Sequence, residues 1–281
     1  MPTHEPRADS AERSGSDSAL QAPVSPLLAR VVDLSRDEVR EVWSFLHGDV
    51  MEPGVRAHLR KALGLCPRHS WGYAVVEIEL WVLGGGSRGG HQPFEVSLLY
   101  EDLLADVIRR LTHHRRWRRS VTDQLQVHAS CRICDAVKPS GVEPTTPSTG
   151  YAGADTDVLT LEANARTFTT AWLKETQVIW RPSVCPACLS EAARDHDTTP
   201  IGFSDQEIDT LCRRHLIAGD QVRNVDGQEL AARLETLRRR LLRLLESMTE
   251  GGAPSTMDDD AAWVETLGWF AGWGSPLTLI A

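Results

Sequence analysis

Hydrophobic residues recur at helical spacing along most of this chain, most clearly over Gln228–Met248. There, six apolar side chains alternate between steps of four and three residues: Leu230, Leu234, Leu237, Leu241, Leu244 and Met248. A heptad repeat of this kind is the seam that one helix presents to another. The seam packs either on the chain's own core or, as a coiled coil, on a partner or a second copy. The pattern leaves both interpretations open.

Five further helices are predicted by spacing and by end signals. Ser35 is placed as an N-cap, with the acidic residues Asp37 and Glu38 in the first turn of the helix that follows. The other predicted helices are Gly54–Gly64, Ser97–Arg116, Leu159–Val178 and an amphipathic terminal helix carrying Trp263, Leu267, Phe270 and Trp273. The segment Ala74–Leu83 is ambiguous, because Glu77 and Glu79 alternate with apolar residues as in a strand, whereas near-continuous apolarity also fits a buried helix.

Composition divides the chain into five predicted segments. Lys138–Asp157 is rich in Pro, Gly, Ser and Thr, which is typical of a linker. The segments are a disordered tail (1–24), a first helical module (25–137), the linker (138–157), a second helical module with the long helix (158–250) and a Trp-rich C-terminal segment (251–281).

The charge and hydropathy of the chain exclude two broad functions. A formal net charge of −9 argues against a protein that binds nucleic acid over its whole surface. The basic cluster His113–Arg119 is the one segment suited to phosphate contact and base stacking, and a solvated helix end is its alternative explanation. No uncharged apolar run reaches the ~20 residues that span a membrane, and the N-terminus lacks a secretory apolar region, so we expect a cytoplasmic protein.

All six cysteines belong to pairs of ligand-type residues separated by two positions. The four pairs are Cys66/His69, Cys131/Cys134, Cys185/Cys188 and Cys212/His215. This spacing turns both side chains of a tight turn towards one ion, and tetrahedral Zn²⁺ accepts four N or S ligands. Eight ligands therefore predict two complete zinc sites, with an iron–sulfur cluster as the alternative cofactor.

The sequence leaves the pairing of these four half-sites open. Joining neighbours along the chain gives two Cys₃His sites, exchanging the CxxC pairs gives two others, and a third combination gives Cys₄ with Cys₂His₂. Only 23 residues separate Cys188 from Cys212, so loop closure favours the sequential pairing.

The stretches GLCPRHSWGY…SLLYEDLL and CRICD…FTTAWLKE…LCRRHL resemble a family of uncharacterised bacterial proteins of actinobacterial type. Its members repeat a module of CPxC, a helix and G-[FL]-C-x-x-H, and the resemblance covers roughly residues 25 to 220. It implies a mainly α, irregular helical protein with two Cys/His metal-binding knuckles and little or no sheet, and a helix at Ala74–Leu83. It implies no activity.

This chain departs from the family pattern at its first module. Ser25 and Leu28 stand where the first CPxC would fall, and Cys185/Cys188 looks like an extra pair inside the second module. The resemblance therefore implies that Cys185/Cys188 completes the site of Cys66/His69. Cys131/Cys134 would then join Cys212/His215, against the loop-closure preference.

Closed four-ligand shells predict a structural role for both ions, because no coordination position is left for substrate. The sequence accordingly favours a zinc-stabilised helical binding or adaptor protein that is not an enzyme. Its protein partner would contact the Leu230–Met248 helix and the Trp-rich C-terminus. The alternatives are a thiol-redox or iron–sulfur sensor, nucleic-acid binding through His113–Arg119, and an open catalytic metal site using His128 or His196. The glycine-rich stretch Gly84–Gly89 is predicted to be a loop, not a dinucleotide site.

Overall fold

The computed structural model describes residues 33–80, 91–113, 120–137, 155–193, 210–218 and 225–280. Within these ranges 77% of the residues are helical and no strand is present, so the mainly α prediction is confirmed. Several sequence predictions fall outside them: the tail 1–24, Ser25, Leu28, Gly84–Gly89, residues 114–119 of the basic cluster, most of the linker, and His196.

Fourteen α-helices occur in the described ranges, and several of them are short. They are α1 (Arg36–Ser44, continued by a π-helical turn at Phe45–Asp49), α2 (Pro53–Ala62), α3 (Pro67–Glu79), α4 (Phe94–His113), α5 (Val121–Leu125), α6 (Arg132–Val137), α7 (Thr156–Ala165), α8 (Thr167–Glu175), α9 (Gln177–Trp180, followed by a 3₁₀ turn at Arg181–Ser183), α10 (Pro186–Ala193), α11 (Arg213–Ala218), α12 (Gly227–Ser247), α13 (Met257–Ala271) and α14 (Gly274–Leu279).

The long helix α12 packs along α4 and α13 and closes one side of the core. Its leucine seam faces inward: Leu234 and Leu241 are 1% and 0% exposed, and Leu230, Leu244 and Met248 are also buried. The interpretation that the seam packs on the chain's own core is therefore the one that the structure supports. The core is continuous from Leu34 to Leu277, so helices from both predicted modules share it. The module boundaries themselves stay a prediction.

The ambiguous segment at Ala74–Leu83 is helical as far as Glu79, as the family resemblance implied. The alternating acids, Glu77 and Glu79, are explained by contacts with other helices. Glu77 is buried and accepts hydrogen bonds from the backbone N–H groups of Glu95 and Val96, at the start of α4. Glu79 accepts in the same way from the backbone N–H groups of Phe168 and Thr169, at the start of α8. Each carboxyl group thus satisfies N–H groups that a helix start leaves without partners.

Two helix predictions need correction. The helix predicted over Leu159–Val178 is interrupted, because Arg166 adopts a left-handed conformation with φ of 55° between α7 and α8. The terminal helix α13 is not amphipathic, since it is buried on nearly all sides, including Trp263 and Phe270 at 1% and 2% exposure. A helix that is apolar all round belongs inside a core.

Candidate metal centres

Cys66, His69, Cys131 and Cys134 form one group of side chains, which we call centre 1. Cys185, Cys188, Cys212 and His215 form the other, centre 2. In each group the four ligand atoms all lie within 4.8 Å of one another. The structure therefore joins the half-sites in sequential order, as loop closure favoured. The exchange implied by the family resemblance, with Cys185/Cys188 completing the site of Cys66/His69, is wrong.

All four half-sites have the same local structure. In each, the first cysteine directly precedes a short or medium helix, and the second ligand is the third residue of that helix (α3, α6, α10 or α11). The carbonyl of the first cysteine accepts the backbone N–H four residues later, at 2.8–3.0 Å. This bond closes the first helical turn, so the two ligand side chains of a pair face the same point.

Helix starts also suit the chemistry of thiolates. The N-terminus of a helix carries partial positive charge, which favours a negative group placed there. Each of the six cysteines lies either immediately before a helix or within its first turn. Four helix starts thus converge in pairs on the two groups.

The donor–donor distances match the edges of a tetrahedron around one zinc ion. Bond lengths of about 2.3 Å to sulfur and 2.0 Å to nitrogen give edges of about 3.8 Å between two sulfurs and 3.5 Å between sulfur and nitrogen. In centre 1 the Sγ atoms of Cys66 and Cys134 are 3.7 Å apart, and the three sulfurs lie 3.3–3.5 Å from Nδ1 of His69. In centre 2 Cys188 and Cys212 are 3.8 Å apart, and the sulfurs lie 3.3–3.5 Å from Nδ1 of His215.

Both histidines are held through their second ring nitrogen by a glutamate. Nε2 of His69 lies 2.9 Å from Oε1 of Glu38, and Nε2 of His215 lies 2.9 Å from Oε1 of Glu191. A carboxylate at Nε2 fixes the proton there and leaves Nδ1 free to bind a metal ion. The tautomer that suits a metal centre is therefore specified at both sites.

The thiol groups of centre 1 cannot all ionise without a cation beside them. A hydrogen bond from Cys66, which outweighs burial, lowers the pKa of Cys131 to about 3, and the same bond raises the pKa of Cys66. Burial, together with the charge of Cys131, raises the pKa of Cys134. In centre 2 a shared hydrogen bond likewise shifts two pKa values in opposite directions: it lowers the pKa of Cys185 and raises that of Cys188. A divalent ion would allow all three sulfurs to be thiolates at once.

The two centres differ in exposure. The three cysteines of centre 2 are buried in the hydrophobic core, at 0%, 3% and 1% exposure for Cys185, Cys188 and Cys212. The three cysteines of centre 1 are only partly buried, whereas His69 is buried. Solvent therefore reaches the sulfurs of centre 1 more readily.

Sequence reasoning named the eight clustered side chains but missed the two glutamates that contact the histidines. Glu38 was recognised only as a first-turn residue of α1, and Glu191 was not singled out. The available indication was the arginine that precedes each histidine, Arg68 and Arg214, because both arginines bind these same glutamates. His128, considered as an extra ligand, is exposed and belongs to neither group.

The fold and the two centres define a class: a helical protein with two Cys₃His groups that could each hold a metal ion. No family model, curated protein or solved structure matches the chain. In the part of the chain that the structure describes, no helix has the length and apolar character needed to cross a membrane.

Proposed function

We propose that the protein is a zinc-stabilised helical binding protein in which both ions are structural. The observation that carries the proposal is the close grouping of three sulfurs and one nitrogen, all within 4.8 Å of one another, at spacings that suit a tetrahedron around one zinc ion. A filled tetrahedron has no position for water or substrate, and soft sulfur ligands favour zinc over magnesium or calcium.

The placement of the groups supports a structural role. Each centre joins two separate helices: α3 with α6 in centre 1, and α10 with α11 in centre 2. The short helices α6 and α11 have six residues each, a length at which a helix is not stable alone in water. Binding an ion would hold each of them against the rest of the fold.

Removal of the metal tests this proposal. A strong chelator with a zinc indicator should release two ions per chain, and the far-UV circular dichroism should lose helix as they leave. Cys188→Ser, in the buried centre, should lower stability more than Cys134→Ser, in the partly buried one. Retention of the full helical signal after both ions are removed would overturn a structural role.

A protein partner would use the outward face of α12. The seam predicted as a contact is occupied within the chain, whereas Leu242 and Arg239 on the other face are exposed. A photo-crosslinking residue placed at Leu242 should therefore capture the partner in cells. The same residue at buried Leu241 should crosslink only within the chain. Identical products from both positions would contradict the assignment of this face.

The accessibility of centre 1 favours a second function, a thiol-redox response. Peroxide would oxidise the metal-bound thiolates of Cys131 and Cys134 to a disulfide. The two electrons that they lose, together with two protons from solvent, would reduce the peroxide to two molecules of water, and the metal ion would be released. Because the cysteines of centre 2 are buried, peroxide should release one ion per chain quickly and the second slowly. Equal release from both centres would argue against this function.

An iron–sulfur cluster is the alternative cofactor. Sulfur atoms 3.7–3.8 Å apart suit one small ion, whereas a cluster carries sulfide atoms among its irons and needs ligands spaced further apart. This spacing supports zinc. Colourless protein is expected, and brown protein with visible absorbance would favour the cluster.

A further inference from the structure

The chain contains the sequence Cys-x-Arg-His twice, and in both copies the arginine binds the glutamate that the adjacent histidine contacts. In centre 1, Nε and Nη2 of Arg68 donate to the two oxygens of Glu38 at 2.6 and 2.8 Å. In centre 2, Nη2 of Arg214 donates to Oε1 of Glu191 at 2.9 Å. The same Oε1 atom also faces Nε2 of the histidine in each centre. Two parts of the chain that are far apart in sequence thus build one arrangement.

We propose that Arg68 and Arg214 are positioning residues for the metal centres, acting through Glu38 and Glu191. This inference rests on the proposed function, because it assigns these residues a role towards a bound ion. Each arginine would hold its glutamate against Nε2, and the glutamate would in turn hold the imidazole with Nδ1 towards the three sulfurs.

Charge explains why an arginine is needed. Three thiolates around a divalent ion leave one net negative charge, and a carboxylate beside them adds a second. The guanidinium cancels one of these charges. At centre 1 it also matches the carboxylate with two parallel donors, which a lysine cannot do.

The two centres differ in which helix carries the glutamate. Glu38 lies on α1, where it also accepts the backbone N–H of Ser35 at 2.7 Å and completes the capping box of that helix. Arg68 further binds the carbonyl of Asp33, just before α1. Glu191 lies on α10, the helix that already carries Cys188, and its side chain is 47% exposed. Centre 1 is thus tied to a separate helix, whereas the contact at centre 2 is local and solvated.

Metal affinity of substituted proteins tests the proposal. Arg68→Gln and Glu38→Gln should each lower the affinity for one of the two zinc ions by about 10- to 100-fold. Chelator competition measures the affinity, and native mass spectrometry counts the bound metal ions. Arg214→Gln should lower the affinity for the other zinc ion by a smaller factor, because water screens the exposed pair of Arg214 and Glu191. Arg40→Gln is the matched control, since Arg40 lies on α1 but pairs with Asp37.

Two readouts separate positioning from a general loss of stability. The cobalt(II)-substituted protein should show altered visible bands in Arg68→Gln, with Arg68→Lys between it and the wild type. Hydrogen exchange over residues 35–44 should rise when centre 1 is disrupted by Cys134→Ser, and stay unchanged when centre 2 is disrupted by Cys188→Ser.

The outcomes distinguish this inference from the proposed function. A wild-type chain that binds no metal would remove both. A wild-type chain with two ions, together with an Arg68→Gln variant of equal affinity and identical cobalt spectrum, would overturn only the positioning role. In that case a lower melting temperature of the variant would reflect the capping of α1 alone.

Discussion

Replacing Gly268 by alanine should destabilise the protein through a single buried contact. Gly268 lies in α13, and a Cβ atom there would stand 2.5 Å from Cζ2 and 2.6 Å from Cδ2 of Trp273. The indole ring would have to move by about 1 Å to restore ordinary contact. It has little room, because Trp273 is 2% exposed and stacks on Trp180 with ring centroids 5.8 Å apart.

The expected loss of unfolding free energy is about 2 kcal/mol. Overpacking of a tight core costs up to about 3 kcal/mol, and alanine recovers about 1 kcal/mol relative to glycine within a helix. For a chain of 281 residues the melting temperature should fall by about 3–4 °C. Urea unfolding followed by far-UV circular dichroism, with zinc present, measures the change directly.

Gly48→Ala is the matched control. A Cβ atom at Gly48 would meet nothing within 4 Å, and the residue is exposed in the π-helical turn after α1. The same substitution should there raise stability by about 0.5–1 kcal/mol through the reduced freedom of the unfolded chain. A Gly268→Ala protein as stable as wild type would refute the packing of α13 against Trp273.

Two further predictions concern the core and its buried acids. Leu241→Ala should cost about 2–5 kcal/mol in urea unfolding, because Leu241 is fully buried. Leu242→Ala, one residue along α12, should cost less than about 0.5 kcal/mol, because Leu242 is 39% exposed. Equal losses would contradict the orientation of α12. Burial raises the pKa of Glu77 from its ordinary value of 4.5 to about 8, so its protonated form is favoured in the folded state. The stability that this carboxyl contributes is lost as pH rises towards 8. Unfolding at several pH values should therefore show that Glu77→Gln loses less stability than wild type between about pH 6.5 and 8, by roughly 2 kcal/mol. Parallel curves would show that the burial of Glu77 does not govern the pH dependence of stability in this range.

Local patterns predicted the elements whose signals are contained in a few neighbouring residues. The N-cap at Ser35 and the seam of α12 depend on spacing within one helix, and both are present. The eight clustered Cys and His side chains were also visible, because each half-site is defined within four consecutive residues.

Features that depend on other parts of the chain could not be predicted in this way. Glu77 and Glu79 imitated the alternation of a strand, yet they are buried because each caps the start of another helix. No glycine or proline lies at the break at Arg166, so the local sequence gives no signal for it. The pairing of the half-sites was open because family resemblance and loop closure pointed in opposite directions, and only the tertiary structure decides between them.

The most direct test of the account is the metal shell of protein purified without added metal. Elemental analysis should find two zinc ions per chain, and X-ray absorption at the zinc edge should find, on average, three sulfur ligands at about 2.3 Å and one nitrogen at about 2.0 Å. A folded chain without metal, or zinc surrounded mainly by oxygen, would contradict the two Cys₃His centres.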